Sequence, residues 1–384
     1  MKKILLCIFV CFATSAFTQG LLFYNSVEKR EFFNENLKDT LQLEVHLPKD
    51  YILAENSHFP LIILMDSQNE INHRYNLNTI DYLTGLGAMP GCIVASIGLE
   101  NQWRALWTIP KAEGGLGDEL LDFITTELHG HLSKQYRMSD AHFIVGHSRT
   151  AIFGMYALAK RSDYFTGCIA SSAAYFDGGS EVQKKVFDDF IKENKKSKVK
   201  KYFYFSAGTA FYGDGHEPFC DELNAYLSKA LEGSNVEWAY IKEDADHFTI
   251  PGLTVNRALN NIFRGYRSAL QSCFDELKKP ENAQAVAWDK FNAIYTRASQ
   301  NAGYEILPDL TFYFSLASAY SNDYEGLFKE NSTEFTLQML LQGEKKYPRV
   351  CEILDWIKEI YAEQNNAKAN DYEEKMKACV KIDE

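Results

Sequence analysis

Two kinds of hydrophobic pattern alternate from about residue 41 to residue 270, and only one of them continues beyond. "LQLEVHLP" alternates apolar and polar residues, the period of an edge or antiparallel strand with one covered face. "FPLIILMD", "CIVASIG", "HFIVGH", "GCIASS", "KYFYFSAG" and "VEWAYIKE" are short and almost wholly apolar, as strands buried in a parallel sheet are. Between them, "GDELLDFITTELHGHLSKQY", "TAIFGMYALAKR", "EVQKKVFDDFIKEN" and "PFCDELNAYLSKAL" have the spacing of amphipathic helices. This alternation predicts an α/β fold, a mostly parallel sheet with helices on both faces, over residues 20–270. After about residue 271 the strand pattern stops. "AVAWDKFNAIYTRASQN", "DLTFYFSLASAYS", "TEFTLQMLLQGEKKY", "VCEILDWIKEIYAEQ" and "KANDYEEKMKACV" predict a small all-α domain over residues 271–384.

Within that helical part, "KYP" followed by two helices around "QNNAKA" is similar to a degenerate tetratricopeptide hairpin, although no full repeat recurs. Such a segment suits packing or docking of a protein partner rather than catalysis. Cys351 opens one helix of the pair and Cys379 closes the next. Antiparallel helices bring those ends together, so a disulfide is one reading and two free thiols the other. Cys92, Cys168, Cys220 and Cys273 are dispersed with no Cys-x-x-Cys pair, which indicates neither a zinc site nor a disulfide scaffold.

"MKKILLCIFVCFATSAFTQG" has Lys2 and Lys3, then an apolar run, then small polar residues before Gln19: a secretory signal peptide over residues 1–19. The run is too short to span a bilayer and no second long one follows, so membrane insertion is not expected. Neither Cys7 nor Cys11 follows the small residues of a lipid-anchor signal. The expected location is therefore exported, periplasmic or secreted. With 40 basic and 52 acidic residues the net charge is -12, and loss of Lys2 and Lys3 leaves 38 against 52, or -14. So acidic a chain, without a basic stripe, argues against nucleic acid and anionic membranes as partners.

Candidate chemistry begins at "IVGHSRTAI", a buried strand running through Gly-His-Ser into a helix. A serine on such a turn is lifted clear of the sheet, and the N–H of the next residue, Arg149, points at a developing oxyanion. Gly146 supplies the small residue this crowded turn needs, while Thr150 and Ala151 stand where glycines are usual. The competing reading of Ser148 is a plain helix cap. A triad on this fold places its acid after the serine and its histidine last. His247, in "DADHFTIPG" after the final strand, holds the histidine position and would take the Ser148 proton and return it to the leaving group. Asp214, in "TAFYGDGHEPF", is the candidate acid, with Glu217 as the alternative. Asp244 and Asp246 share the histidine's own loop, where a carboxylate is more often solvated. His129 and His131, two apart on a helix, point to different sides and do not suggest a metal.

These pieces, with "VHLPKDY", "FPLIILMDSQ", "NQWRALWTIP" and "FTGCIASSAAYFDG", in this order from about Phe23 to Tyr266, resemble the esterase D family of α/β-hydrolases. That family includes siderophore esterases, feruloyl and acetyl xylan esterases, S-formylglutathione hydrolases and mycolyl transferases. The resemblance implies the α/β-hydrolase fold and a second oxyanion donor from the backbone N–H of Ser67, where the family's Asp-Gly is Asp66-Ser67. It also implies a substrate pocket bordered by Trp103, Arg104 and Trp107, with Tyr175 and Phe176 nearby; Arg104 could hold a carboxylate or phenolate. On the residues alone, the tryptophans read equally as core and Arg104 as an ion pair. Departures from the family are Thr150 and Ala151 for two glycines, and Thr209 and Ala210 where an acid usually follows the strand-end glycine.

The sequence thus predicts a serine hydrolase of carboxylic esters that needs no cofactor or metal and acts on a small-molecule or carbohydrate-linked ester. The alternatives are a catalytically weak or inactive binding protein on the same scaffold, and an acyltransferase using the same triad.

Overall fold

Six apolar runs become the parallel part of one sheet. In the computed structural model, which describes residues 24–173, 181–210, 215–323 and 326–382, the strands are β1 (Tyr24–Asn34), β2 (Asp39–Pro48), β3 (Phe59–Met65), β4 (Ile93–Gly98), β5 (Met138–His147), β6 (Gly167–Ser171), β7 (Lys201–Gly208) and β8 (Val236–Glu243). They form an eight-stranded sheet in the order β1-β2-β4-β3-β5-β6-β7-β8. β1 and β2 pair antiparallel, β2 joins β4 antiparallel, and β3 to β8 run parallel. β3, β4, β6 and β7 are buried at every position, which is why their residues are apolar throughout. This is the α/β-hydrolase arrangement. β1 is an addition to the predicted strands: its "YNSVEKREFFN" carries charge and a bulge at Ser26/Glu28 instead of a clean alternation.

Helices cover both faces. The Glu70–Gly85 helix packs on the Ile250–Ile262 helix, and the Arg149–Lys160 helix packs on Asn101–Thr108 and Glu181–Asn194. The predicted long helix after Gly117 forms, with a π-helical turn over Phe123–Leu128.

Beyond β8 the described chain is helical. The expected boundary at residue 270 falls inside the Arg264–Leu277 helix. The later helices share the core of the sheet rather than making their own: Tyr304 packs edge-on to Phe143 and Phe263, and its hydroxyl donates to the Ile262 carbonyl at 2.8 Å. Tyr202 donates to the Ala302 carbonyl at 3.0 Å, and Arg349 pairs with Glu55 at 3.0 Å. Tyr202 is the second residue of β7 and Glu55 precedes β3, so the Tyr202 and Glu55 contacts lie at the N-terminal ends of those strands, opposite the end where Ser148 lies. Cys351 and Cys379 are joined by a disulfide, the first of the two readings offered by their spacing. No helix among the described residues is long and apolar enough to cross a membrane, and the expected signal peptide lies outside them.

Candidate active site

Three neighbouring parallel strands end in backbone strain. Asp66 after β3, Ser148 after β5 and Ser172 after β6 have φ of +67°, +58° and +54°. Non-glycine residues rarely adopt such angles, and they persist only where the surroundings impose them. All three lie at the C-terminal rim of the sheet, where α/β folds place their ligands.

The helix-cap reading of Ser148 does not hold. A capping residue normally has extended φ and ψ and a side-chain oxygen bonded to an amide of the first turn. Ser148 has φ +58° and ψ -118°, and its side chain makes no cap bond. Its hydroxyl is half-buried and has no hydrogen-bond partner among the described residues, and the N–H of exposed Arg149, first in the following helix, is likewise unengaged. Gly146 is obligatory here, since a Cβ would lie 2.3 Å from the Thr150 carbonyl oxygen.

Thr150 uses the hydroxyl that a glycine would lack. Wholly buried, it accepts from the His147 N–H at 3.0 Å and donates to the Asp66 carboxylate. Asp66 is gripped in turn by Arg104, whose Nε and Nη2 donate to its two oxygens at 2.6 and 2.7 Å. Arg104 Nη2 also donates to the His147 carbonyl at 2.8 Å. The guanidinium therefore braces the serine turn from behind, and the ion-pair reading replaces the substrate-binding one. Trp107 is fully buried and belongs to the core, not to a pocket wall. The side chain of Trp103, and Tyr175 and Phe176 entirely, lie outside the described residues.

Ser67 does not serve as the second oxyanion donor, because its N–H is already given to the Ile97 carbonyl at 3.1 Å, continuing the β3–β4 ladder. The next amide, that of Gln68, has no acceptor among the described residues. The Gln68 side chain holds the turn instead: it donates to Asp66 Oδ1 at 2.9 Å and accepts from the Leu99 N–H at 2.8 Å.

His247 reaches the same rim. Its carbonyl accepts from His147 Nε2 at 2.7 Å, and the two rings lie 4.6 Å apart. Burial lowers the His147 ring to about 4, with the neighbouring His247 pushing the same way, so it serves as a neutral tether for the His247 loop. His247 Nδ1 lies 2.7 Å from Ser172 Oγ, while the Ser148 N–H donates to the Ser171 carbonyl at 2.9 Å. The Ser171–Ser172 pair thus bridges the serine turn and the histidine loop. His216 Nδ1 bonds the Ser172 carbonyl at 2.8 Å, and its ring stands edge-on to His247 at 5.3 Å. Asp214 lies outside the described residues. Glu217 pairs with Lys242 at 2.7 Å, an engagement on the helix surface. Asp246 caps its own loop through Thr249 and the Phe248 N–H, bonds that hold its carboxyl below the usual range. His129 and His131 pair separately with Tyr164 at 3.2 Å and Glu28 at 2.7 Å.

Ser172, His147 and His216 were not singled out from sequence, and Thr150 was noted only as a departure from glycine. The one legible hint was "GHS", where a histidine precedes the serine; the others act through partners distant in the chain.

Residues 34–209 match the sequence model of the family described as Putative esterase. An IroE-like serine hydrolase from Shewanella oneidensis is similar in structure with TM-score 0.62 at 18% identity, covering 81% of this chain and 98% of its own. An uncharacterised protein from Capnocytophaga ochracea has TM-score 0.57 at 13% identity, covering 92% of this chain and 94% of its own. The siderophore hydrolase EstA from Aspergillus nidulans has TM-score 0.53 at 15% identity, covering 64% and 96%. At these identities the structural likeness establishes the fold. No curated protein matches the chain in sequence.

Proposed function

We propose, from the match of residues 34–209 to the Putative esterase family, that this chain is a serine hydrolase that cleaves carboxylic esters through an acyl-enzyme. Ser148 is the nucleophile and His247 its general base. The observation that carries this is the left-handed turn at Ser148 with an unused hydroxyl beside an unused Arg149 N–H. A serine built only to cap a helix has no need of that strain.

In the proposed reaction Ser148 Oγ attacks the ester carbonyl while His247 takes its proton. The negative oxygen is held by the N–H groups of Arg149 and Gln68, whose turns Thr150, Asp66 and Arg104 fix in advance. His247 then protonates the departing alcohol, and water repeats the sequence to release the acid. Phe248, 71% exposed beside the His247 ring, offers an apolar contact for the acyl or alcohol group. Asp214 remains the proposed acid. Export belongs to the same proposal, supported by the leader-like residues 1–19 and the disulfide.

Purified protein is expected to release phenolate from a small activated ester with a burst equal to the enzyme concentration. Ser148→Ala should lower kcat by at least about 10⁴-fold with circular dichroism unchanged. Turnover surviving in that variant removes the assignment. A binding protein without catalysis is the second reading, motivated by Thr150 and Ala151 where two glycines are usual. Failure of a fluorophosphonate to label Ser148 in folded protein selects that second reading.

A further inference from the structure

Glu44 and His46 lie two residues apart on β2 and therefore project from the same face of the sheet. His73, in the first turn of the Glu70–Gly85 helix, stands over that face. One carboxylate oxygen of Glu44 and one ring nitrogen from each histidine lie within 4.8 Å of one another. We propose that these three side chains form a site for a divalent transition-metal cation of the zinc class, clamping β2 to the helix that follows the Asp66 turn.

The second observation is a buried donor atom without a partner. His46 is only 6% exposed, and its Nε2 has no hydrogen-bond partner among the described residues. Glu44 Oε1 lies 3.6 Å from it, too far for a hydrogen bond and close to the separation of two ligands on one metal. Bonds of 2.0–2.2 Å in a tetrahedron place ligand atoms about 3.4 Å apart. The 4.8 Å outer limit thus closes by small side-chain rotations. The second ring is held in place: Ser96 Oγ, fully buried under the cluster, lies 2.9 Å from His73 Nε2. Outer-shell hydrogen bonds of this kind orient metal-binding imidazoles.

Two imidazoles and a carboxylate are the ligand set of three-ligand zinc sites that leave a fourth position to water. Calcium and magnesium prefer all-oxygen sets, and a soft monovalent metal prefers sulfur. The charge also fits. Glu44 currently faces Lys29 Nζ at 3.0 Å, and that lysine, 73% exposed, can withdraw to solvent when a cation takes its place. The site is independent of the ester chemistry: none of its ligands contacts Ser148 or His247 in the described structure.

The test uses the chain from residue 20 onward, purified without a histidine tag and stripped with chelator. Cobalt(II) titration should develop the visible d–d bands of a tetrahedral ion with one equivalent per chain, and zinc should displace it and raise Tm. His46→Ala and Glu44→Gln should each weaken cobalt binding by about 100-fold or more. Glu44 is partly exposed, so its variant keeps the test decisive if His46→Ala does not fold. Ser148→Ala should bind cobalt as the unmodified protein does, separating this outcome from that of the esterase assignment. Absence of the bands from the unmodified protein, or their persistence unchanged in both ligand variants, overturns the site.

Discussion

A Cβ at Gly146 would sit 2.3 Å from the Thr150 carbonyl oxygen and 2.8 Å from the Ala151 nitrogen. Both are backbone atoms, so Gly146→Ala must push the strand away from the helix. The expected loss is about 3 kcal/mol in chemical denaturation, at the upper end of overpacking costs, together with lost ester turnover. Thr150 tests the opposite principle, since Thr150→Val keeps the volume and deletes the hydroxyl. The buried His147 N–H then loses its acceptor and Asp66 loses one donor while keeping Arg104. Unfolding free energy should fall by about 1–3 kcal/mol, and kcat should fall more than KM rises, because the turns carrying the oxyanion donors relax. A variant with unchanged stability and kcat contradicts a bracing role for Thr150.

Among the elements, the least supported is the final helix pair, whose Lys368–Met376 member buries only Tyr372 of its own residues. The disulfide closes a span of 28 residues around it, and its Cys351 N–H also bonds the Val380 carbonyl at 3.0 Å. Replacing both cysteines by serine should cost roughly 3–4 kcal/mol by loop entropy, read as a lower Tm with burst amplitude retained at room temperature. Equal Tm for the oxidised protein and the variant refutes this. The elements of the sheet were legible because burial on two faces leaves an unbroken apolar run, as in "FPLIILM", whatever the tertiary context. β1 was not, because its charged residues mostly face solvent, Glu28 turns in to pair with His131, and its bulge breaks the period. In the candidate site, the rim positions of Ser148 and His247 were legible from their places after strands. Ser172 was not, since its meaning comes from a histidine 75 positions away. Likewise Arg104 was assigned to the pocket because nothing local reveals its pairing with Asp66, 38 positions earlier.

For the whole molecule, three titratable groups, His142 buried and His147 and Asp50 partly so, oppose one another in acid. Burial lowers His142 and His147 to about 4, with His129 adding at the first and His247 at the second; Asp140 and Asp66 pull weakly the other way. The unfolded chain binds those protons near pH 6.5, so between about pH 6.5 and pH 4 it holds more protons than the folded one, and stability falls on acidification. Asp50 works in the opposite sense. At the junction of the sheet floor with the C-terminal helices, burial and the nearby Asp309 raise its carboxyl to about 7, against partial relief from Lys346, while Tyr266 bonds Asp309 from the same side. Folded Asp50 keeps a proton that the unfolded chain releases near pH 3.9, so its contribution is full at low pH and lost as pH rises to 7. Asp50→Asn should remove that loss without touching the histidines. The variant's stability advantage over the unmodified protein should grow from pH 4 to pH 7, then level off at about 2 kcal/mol, a figure reduced because Asp50 retains solvent access. Denaturant midpoints measured at unit pH intervals give the difference curve directly. A flat difference across that range means the Asp50 carboxyl is ionised in the folded protein, and a helical floor that tolerates its charge cannot be packed as tightly as the Asp50–Asp309–Tyr266 junction requires.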